Sequence, residues 1–368
     1  MHFSEPAKYT AASLHEFCVC ILLKCNVPFG EADTTATVLV DTDLRGVDSH
    51  GIAHLSDYVA HLISGSYKAS RTLTVVHETH ATALVDGGGG LGHPAGVFAF
   101  QMAMDKALLT GTGTVVVRNS HHFGAAGYYV SLALGRDMIG VCMTNAGPGV
   151  LPTFGIQPLL GTNPIALAVP TNLEHPFVLD MATSVKAYGK VEIAKRERSG
   201  IPEGWFLKAD GGMGRQPFDF PFWRDGTEQR RGGMLPLGGA TEATSSYKGY
   251  GLSLGVEILT ALLAGNTPSA LMETKAGDPE PAIAHYFSAI HIDAFQPLIT
   301  FKMRMDELLL TIKRSPKLPG YDRIYIPGEK EAECFLKRMA EGIPLHPVVV
   351  ADLERLAKDH LVPTPKPT

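Results

Sequence analysis

The sequence predicts a mixed α/β (α+β) fold, with helices from both chain ends flanking a sheet-built middle. Three observations carry this. Helical apolar spacing fills residues 10–64, short β-rich runs begin near residue 73, and helical spacing returns in HPVVVADLERLAKDHL at 346–361. The expected division is a helical domain from 1–75 and 325–368, with a sheet-built domain at 76–324. The length of 368 residues suits two or three domains.

Composition narrows the class. Hydrophobic residues at 45% and charged residues at 19% describe a globular chain, not a disordered one. The net charge of −5 argues against a nucleic-acid or anionic-membrane surface. The five cysteines form no C-x-x-C pair, so neither a disulfide framework nor a cysteine zinc site is indicated. With no signal-like start and no apolar run long enough to span a bilayer, the expectation is a cytoplasmic protein without membrane partners.

Taken in order, Thr10 caps a helix whose stripe is Leu14, Phe17, Cys18, Ile21 and Leu22, and a second helix runs from Glu31 through Val40. In DLRGVDSHGIAHLSDYVAHLISG (43–65), Gly46 breaks the run, Ser49 caps a new helix, and His50 falls in its first turn. The runs LTVVHE, ATALVDG, GTVVVRN, IGVCMTN, PIALAVPT and FVLDMA read as strands. Helices are expected at 94–110 and 248–264, an irregular excursion at 201–233, and a late strand-like run in RIYIP at 323–327.

Several segments carry chemistry. GGGGLG at 87–92 satisfies G-x-G-x-x-G, but the next strand ends without an acidic residue for a ribose, so a tight turn is the favoured reading. His50 and His54 are spaced to share a helical face. With His121 or His122 they could hold zinc, although the glutamate of H-E-x-x-H is missing. Without metal, His50 suits a general acid/base, with Asp180 as one candidate partner. NSHHFGAAGYY (119–129) sits at a strand-to-helix turn, where small residues let backbone approach a ligand; tight packing alone explains them equally well. TNAGPGVLPTFGIQPLLGTNPIALAVPT (144–171) and DMATSVKAYGK (180–190) supply hydroxyls, amides and the cations Lys186 and Lys190.

Together these segments resemble the malate/L-lactate dehydrogenase family of the second type, which includes sulfolactate and ureidoglycolate dehydrogenases, diketogulonate reductase and a piperideine-carboxylate reductase. The carriers are DLRGVDSHG, NSHHFGAAGYY, LLGTNPIALAVPT, DMATSVKAYGK, GIPEGW, LPLGG, YKGYGLSL and PGEKE, which lie in register along nearly the whole chain. The resemblance implies NAD or NADP bound without a Rossmann unit, on a largely antiparallel sheet domain joined to a domain from both chain ends. It also implies a homodimer with no resident metal and the active site in the cleft between domains.

By the same resemblance, His50 looks like the proton donor to the substrate carbonyl, with Ser49 and Asp180 as its relay. His122, followed by Phe123, Gly124, Ala125 and Ala126, looks like cofactor contact near the nicotinamide, or alternatively the acid/base itself. Further cofactor contacts would be Asn145, Thr162, Asn163, Asp180, Met181, Ala182, Thr183, Ser184, Lys186, Lys248, Gly328 and Glu329. His54 stands where the family usually has arginine, which leaves Arg45 or His54 for the substrate. The implied activity is NAD(P)-dependent interconversion of a 2-oxo acid and its 2-hydroxy acid. Reduction of a cyclic imine carboxylate, a zinc hydrolase on His50, His54 and His121, and a non-catalytic binding protein are the alternatives.

Overall fold

The structure, a computed structural model, describes residues 7–221, 230–272 and 281–368. The chain opens with β1 (Lys8–Tyr9), α1 (Ala11–Lys24), α2 (Phe29–Leu44) and α3 (Leu55–Ser64). Thr10 caps α1 as the sequence predicts, its hydroxyl oxygen accepting from the Ser13 N–H at 3.1 Å. The expected stripe of Leu14, Phe17, Cys18, Ile21 and Leu22 is buried.

The third helix starts later than expected. A 3-10 turn at Ile52–His54 precedes it, and His54 occupies its N-cap position. Ser49 does not cap it: α3 has no side-chain cap, and the buried Asp43 carboxylate takes the Ile52 N–H at 2.8 Å where the 3-10 turn begins. The Ser49 hydroxyl turns instead to Nδ1 of His50 at 2.9 Å, so His50 lies on a turn ahead of the helix.

The middle of the chain builds a sheet. In order come β2 (Thr74–Glu78), β3 (Thr82–Asp86), α4 (Gly92–Thr110), β4 (Thr112–Ser120), α5 (Ala126–Leu132), β5 (Met138–Thr144), β6 (Ile165–Val169) and β7 (Phe177–Met181). Next are α6 (Tyr188–Glu197), β8 (Phe206–Leu207), β9 (Gly233–Met234) and α7 (Ser246–Glu257), which continues as a π-helical turn at Ile258–Leu262. Finally come β10 (Ile283–His291), α8 (Leu298–Arg314), α9 (Glu329–Glu341), β11 (Ile343–Pro344) and α10 (Pro347–His360). The main sheet runs β2-β3-β4-β10-β5-β6-β7, and every neighbouring pair is antiparallel except β3 and β4.

Alternation explains the sheet's inner face. In β5 every second residue is buried, and Cys142 packs with Val115, Val117, Ala166 and Phe287 beneath α4 and α5. A second core draws on both chain ends, joining α1, α2 and α3 to Leu353 and Leu356 of α10, and the pairing of β1 with β11 closes it.

The sequence leaves β10, α6, α8 and α9 unassigned, although β10 lies at the centre of the sheet. Its inward register places His285 beside Phe287 and Ala289, and a buried histidine breaks the apolar alternation that marks a strand. Conversely, RIYIP forms no strand, and residues 323–326 run without sheet partners. Among its described residues the excursion at 201–233 contains a 3-10 turn at Pro217–Asp219, a bridge between Leu207 and Met213 and the two-residue pairing of β8 with β9; residues 222–229 lie outside the described residues.

The glycine run forms the tight turn the sequence favours. Gly88 and Gly89 adopt φ of 67° and 73°, and the Arg71 guanidinium donates to the carbonyls of Gly87 and Leu91 at 2.6 and 2.7 Å. A Cβ at Gly90 would lie 2.4 Å from Arg71 Cδ, so an arginine fills the space that a pyrophosphate would need. Gly92 begins α4 in close contact with the next crossover, where a Cβ would sit 2.1 Å from the His121 carbonyl oxygen. Gly92→Ala is therefore expected to cost about 1–3 kcal/mol of stability through overpacking. Denaturant unfolding of wild type and variant checks this.

Candidate active site

Three imidazoles meet where the chain-end core touches the sheet. The ring centroids of His50 and His122 lie 5.6 Å apart, those of His54 and His122 5.2 Å, and those of His50 and His54 5.9 Å. His122 follows β4, and His50 arrives on the turn after α2, so the two cores supply one histidine each. His54 Nε2 donates to the Ser49 carbonyl at 2.7 Å. His122 Nδ1 accepts from the Gly124 N–H at 3.4 Å and pairs with the Tyr58 hydroxyl at 2.6 Å. An N–H can only donate, so Nδ1 is an acceptor and the neutral ring carries its proton on Nε2.

The local field divides these histidines into two kinds. Burial lowers the pKa of His50 to about 3, assisted by the positive charges of His54 and Lys190. Burial, then His54, likewise holds His122 well below the usual histidine range. Burial acts against the charged form of His54 as well, but the Asp57 carboxylate, the Ser49 carbonyl and Glu192 outweigh it and its pKa is raised. The cluster thus sets one ring that holds a proton more readily than a free imidazole beside two that resist it.

A cavity of about 440 Å³ opens beside His50, within the range of about 300–1,000 Å³ usual for small-molecule and cofactor sites. Of the residues singled out from the sequence, Arg45, Ser49, His50, Gly124, Ala125, Ala126, Thr162, Asp180, Met181, Ala182 and Gly328 line it. Arg45 is also paired with Asp41 at 2.7 Å. Asp180 faces the cavity, but its carboxylate accepts from the Gly127 N–H of α5 at 2.7 Å. Among the described residues no hydrogen bond joins Asp180 to His50. Burial pushes the Asp180 pKa up to about 6, with Glu331 adding to the shift.

Other expected residues lie outside this cavity. Phe123 is buried and stacks on His285 at 4.5 Å. Asn163 donates to Glu257 at 2.8 Å, and the Asn145 side-chain oxygen accepts from the Ala284 N–H at 2.8 Å, so both tie β-strand ends to α7 and β10. The Thr183 hydroxyl donates to the carbonyls of Thr162 and Asn163, and that of Ser184 to the carbonyl of Lys186. Lys186 sits 5.4 Å over Trp205, and Lys248 is exposed on α7. Glu329 is buried and paired with Lys313 and Arg323, which hold its carboxyl below the usual range against the opposing effect of burial.

Of the two histidines offered as a third zinc ligand, His121 stacks on Tyr67 at 3.9 Å and His122 lies beside His50 and His54, but among the described residues no group of three or more donor side chains is placed to hold a metal ion.

Tyr128 and Lys330 also line the cavity, without a contact assigned to them individually from the sequence. Lys190, offered by the sequence as a cation of the DMATSVKAYGK run, is carried into the cavity by α6. The lining fits a dinucleotide. Gly124 (φ 79°) through Gly127 form a wall of small residues, Gly328 (φ 97°) lies so close to β7 that a Cβ would meet Val178 at 2.9 Å, and Lys330 stands in the first turn of α9, where an anionic group is favoured.

A neutral imidazole, cations and a wall of small residues around one cleft make the arrangement of a small-molecule enzyme. The chain belongs to the malate/L-lactate dehydrogenase family, whose sequence profile matches residues 9–354, and is an oxidoreductase. It is 41% identical over 345 residues to the malate dehydrogenase of Pyrococcus abyssi, covering 94% of this chain and 92% of that one. It is 38% identical over 318 residues to the L-sulfolactate dehydrogenase of Methanocaldococcus jannaschii, covering 86% and 87%. Among solved structures, malate dehydrogenase from Entamoeba histolytica superposes with a TM-score of 0.93 at 34% identity, covering 98% of this chain and 100% of that one.

Two fully buried histidines flank the site. Burial lowers the pKa of both His93 and His285 to about 3. A folded-state pKa below the unfolded value means that the unfolded chain binds more protons between these values, so stability falls as pH drops below about 6.5. Melting temperatures measured from pH 7 to pH 5 are expected to decline, and less steeply in His93→Gln or His285→Gln than in wild type.

Proposed function

We propose that the protein interconverts a small 2-oxo acid and its 2-hydroxy acid with NAD or NADP, malate- and sulfolactate-like acids being the substrate class. The observation that carries this is His50, neutral and lining the cavity, with Lys190 in the same lining. The bound nicotinamide supplies or accepts the hydride at C2.

The chain's own residues handle the proton and the charge. In oxidation, neutral His50 accepts the hydroxyl proton while Ser49 holds its Nδ1. In reduction, the incoming acid's negative charge raises the His50 pKa and favours the protonated ring that gives the proton back. Lys190 meets the substrate carboxylate, since Arg45 is engaged by Asp41 and His54 by Ser49 and Asp57. His122, with its proton on Nε2, donates a hydrogen bond toward the nicotinamide end. The small-residue wall, Thr162, the Asp180–Ala182 segment and Gly328 hold the dinucleotide.

The architectural proposal is a helical domain from 1–75 and 325–368 and a cofactor domain from 76–324; the separate cores at the chain ends and beneath the sheet support it. No helix among the described residues is long and apolar enough to cross a membrane. We place the protein in the cytoplasm as a homodimer, a reading supported by the exposed Leu252, Ile258, Leu259, Leu262 and Leu263 on and beyond α7.

His50→Gln is expected to lower kcat by about 10²- to 10⁴-fold with reduced-cofactor binding retained. The same change at His122 tests the alternative assignment, and a larger loss there would move the proton role to it. The assay is a panel of pyruvate, oxaloacetate, sulfopyruvate and a cyclic imine acid against NADH and NADPH. A second expectation concerns pH. His54→Gln removes a charge that depresses the His50 pKa, so the acid limb of kcat/KM for hydroxy-acid oxidation should move to higher pH.

A further inference from the structure

The turn that carries Ser49 and His50 has no helical ladder of its own, yet it is tied down at both ends. Val47 N–H donates to the Thr42 carbonyl at 3.1 Å, and His50 N–H to the Val47 carbonyl at 2.9 Å. Beneath the far end lies Asp43, 2% exposed, whose carboxylate accepts from Ile52 N–H at 2.8 Å. Gly51 presses onto the same carboxylate so closely that a Cβ would stand 1.8 Å from Oδ1. From α9, Arg338 donates to the Asp43 carbonyl at 2.5 Å and forks onto the Asp48 carboxylate, with Nη2 to Oδ2 at 3.1 Å. Asp48 immediately precedes Ser49.

We infer that Asp43 and Arg338 form a clamp that positions His50 for proton transfer. Both are positioning residues: neither lines the cavity in which His50 stands. The inference rests on the proton role proposed for His50.

Two physical features support it. A turn with few internal hydrogen bonds is held by whatever satisfies its amides, and the Asp43 carboxyl, its pKa pushed up to about 7 by burial, supplies an acceptor oxygen that an aliphatic side chain cannot replace. Displacing a reacting group by about 1 Å costs about 10²-fold in rate, so loss of the clamp should appear in kcat while ligand contacts persist. The clamp also joins the two sides of the site. The same helix α9 presents Lys330 and Glu331 to the cavity at one end and Arg338 to the turn near the other.

The test compares Asp43→Ala, Asp43→Asn, Arg338→Met and His50→Gln in the reduction of the best 2-oxo acid, with reduced-cofactor binding followed by its fluorescence and folding by thermal melting. Asp43→Ala is expected to lower kcat by about 10²-fold while KM for the acid and cofactor affinity stay within about threefold. Asp43→Asn should recover most of the loss, because its carboxamide oxygen still accepts from Ile52. Arg338→Met should lower kcat by about tenfold, and the Ala–Met double variant should be little worse than Asp43→Ala, as expected of residues acting as one unit. Wild-type kcat in a folded Asp43→Ala protein, or equal impairment of the Ala and Asn variants, overturns the clamp. If Asp43→Ala does not fold, Arg338→Met decides, and wild-type kcat there overturns it. His50→Gln at the wild-type rate would overturn the proton role and the clamp with it, whereas an inactive His50→Gln beside an unimpaired Asp43→Ala would sink the clamp alone.

Discussion

The contact between the imidazoles of His50 and His122 is the constraint on which the rest of this molecule depends. One ring arrives on a turn anchored in the chain-end core and the other leaves the sheet at the end of β4, and their centroids lie 5.6 Å apart. Such a meeting fixes how the two cores sit against each other. It also explains why the crossover after β4 must be tight: Gly92 touches the His121 carbonyl, and Gly124 lies beside His93 and Val38 of α2 with no room for a larger residue. Tyr58, from the helix that follows the His50 turn, reaches across to His122 Nδ1, so the junction is polar at its centre and apolar around it.

Placing several imidazoles in one buried region costs free energy for every proton added, and the structure resolves this by letting only His54 keep a raised pKa. Asp57 and the Ser49 carbonyl stabilise that one charge. The remaining rings stay neutral, which suits His50 to accept a proton and His122 to hold a fixed tautomer. An arginine at position 54 would carry a permanent charge, whereas a histidine makes the field at His50 depend on pH.

Much of this was legible in the chain. Thr10 announced its helix, the alternation of β5 announced its strand, and the segments around His50, His122 and Asp180 pointed to one cleft before any geometry was available. What escaped notice has physical reasons. The central strand β10 hides its period because His285 is buried and hydrogen-bonded to Thr144 and Ser120, a polar residue doing a core residue's job. Ser49 is the usual kind of cap and points to an early helix start, whereas the first amide of the turn, Ile52, is met by Asp43, nine residues upstream. Sequence proximity cannot reveal a partner that arrives through the fold.

Asp180 presents the same lesson in its chemistry. From sequence it was a relay to His50; in the folded chain its carboxylate takes the Gly127 N–H at the start of α5. That bond occupies an amide that would otherwise be offered to an anion. The carboxylate in turn gives the small-residue wall an acceptor suited to hydroxyl or amide donors. With its pKa pushed up to about 6, it is mostly ionised near neutral pH but responsive to any negative charge that enters the cavity.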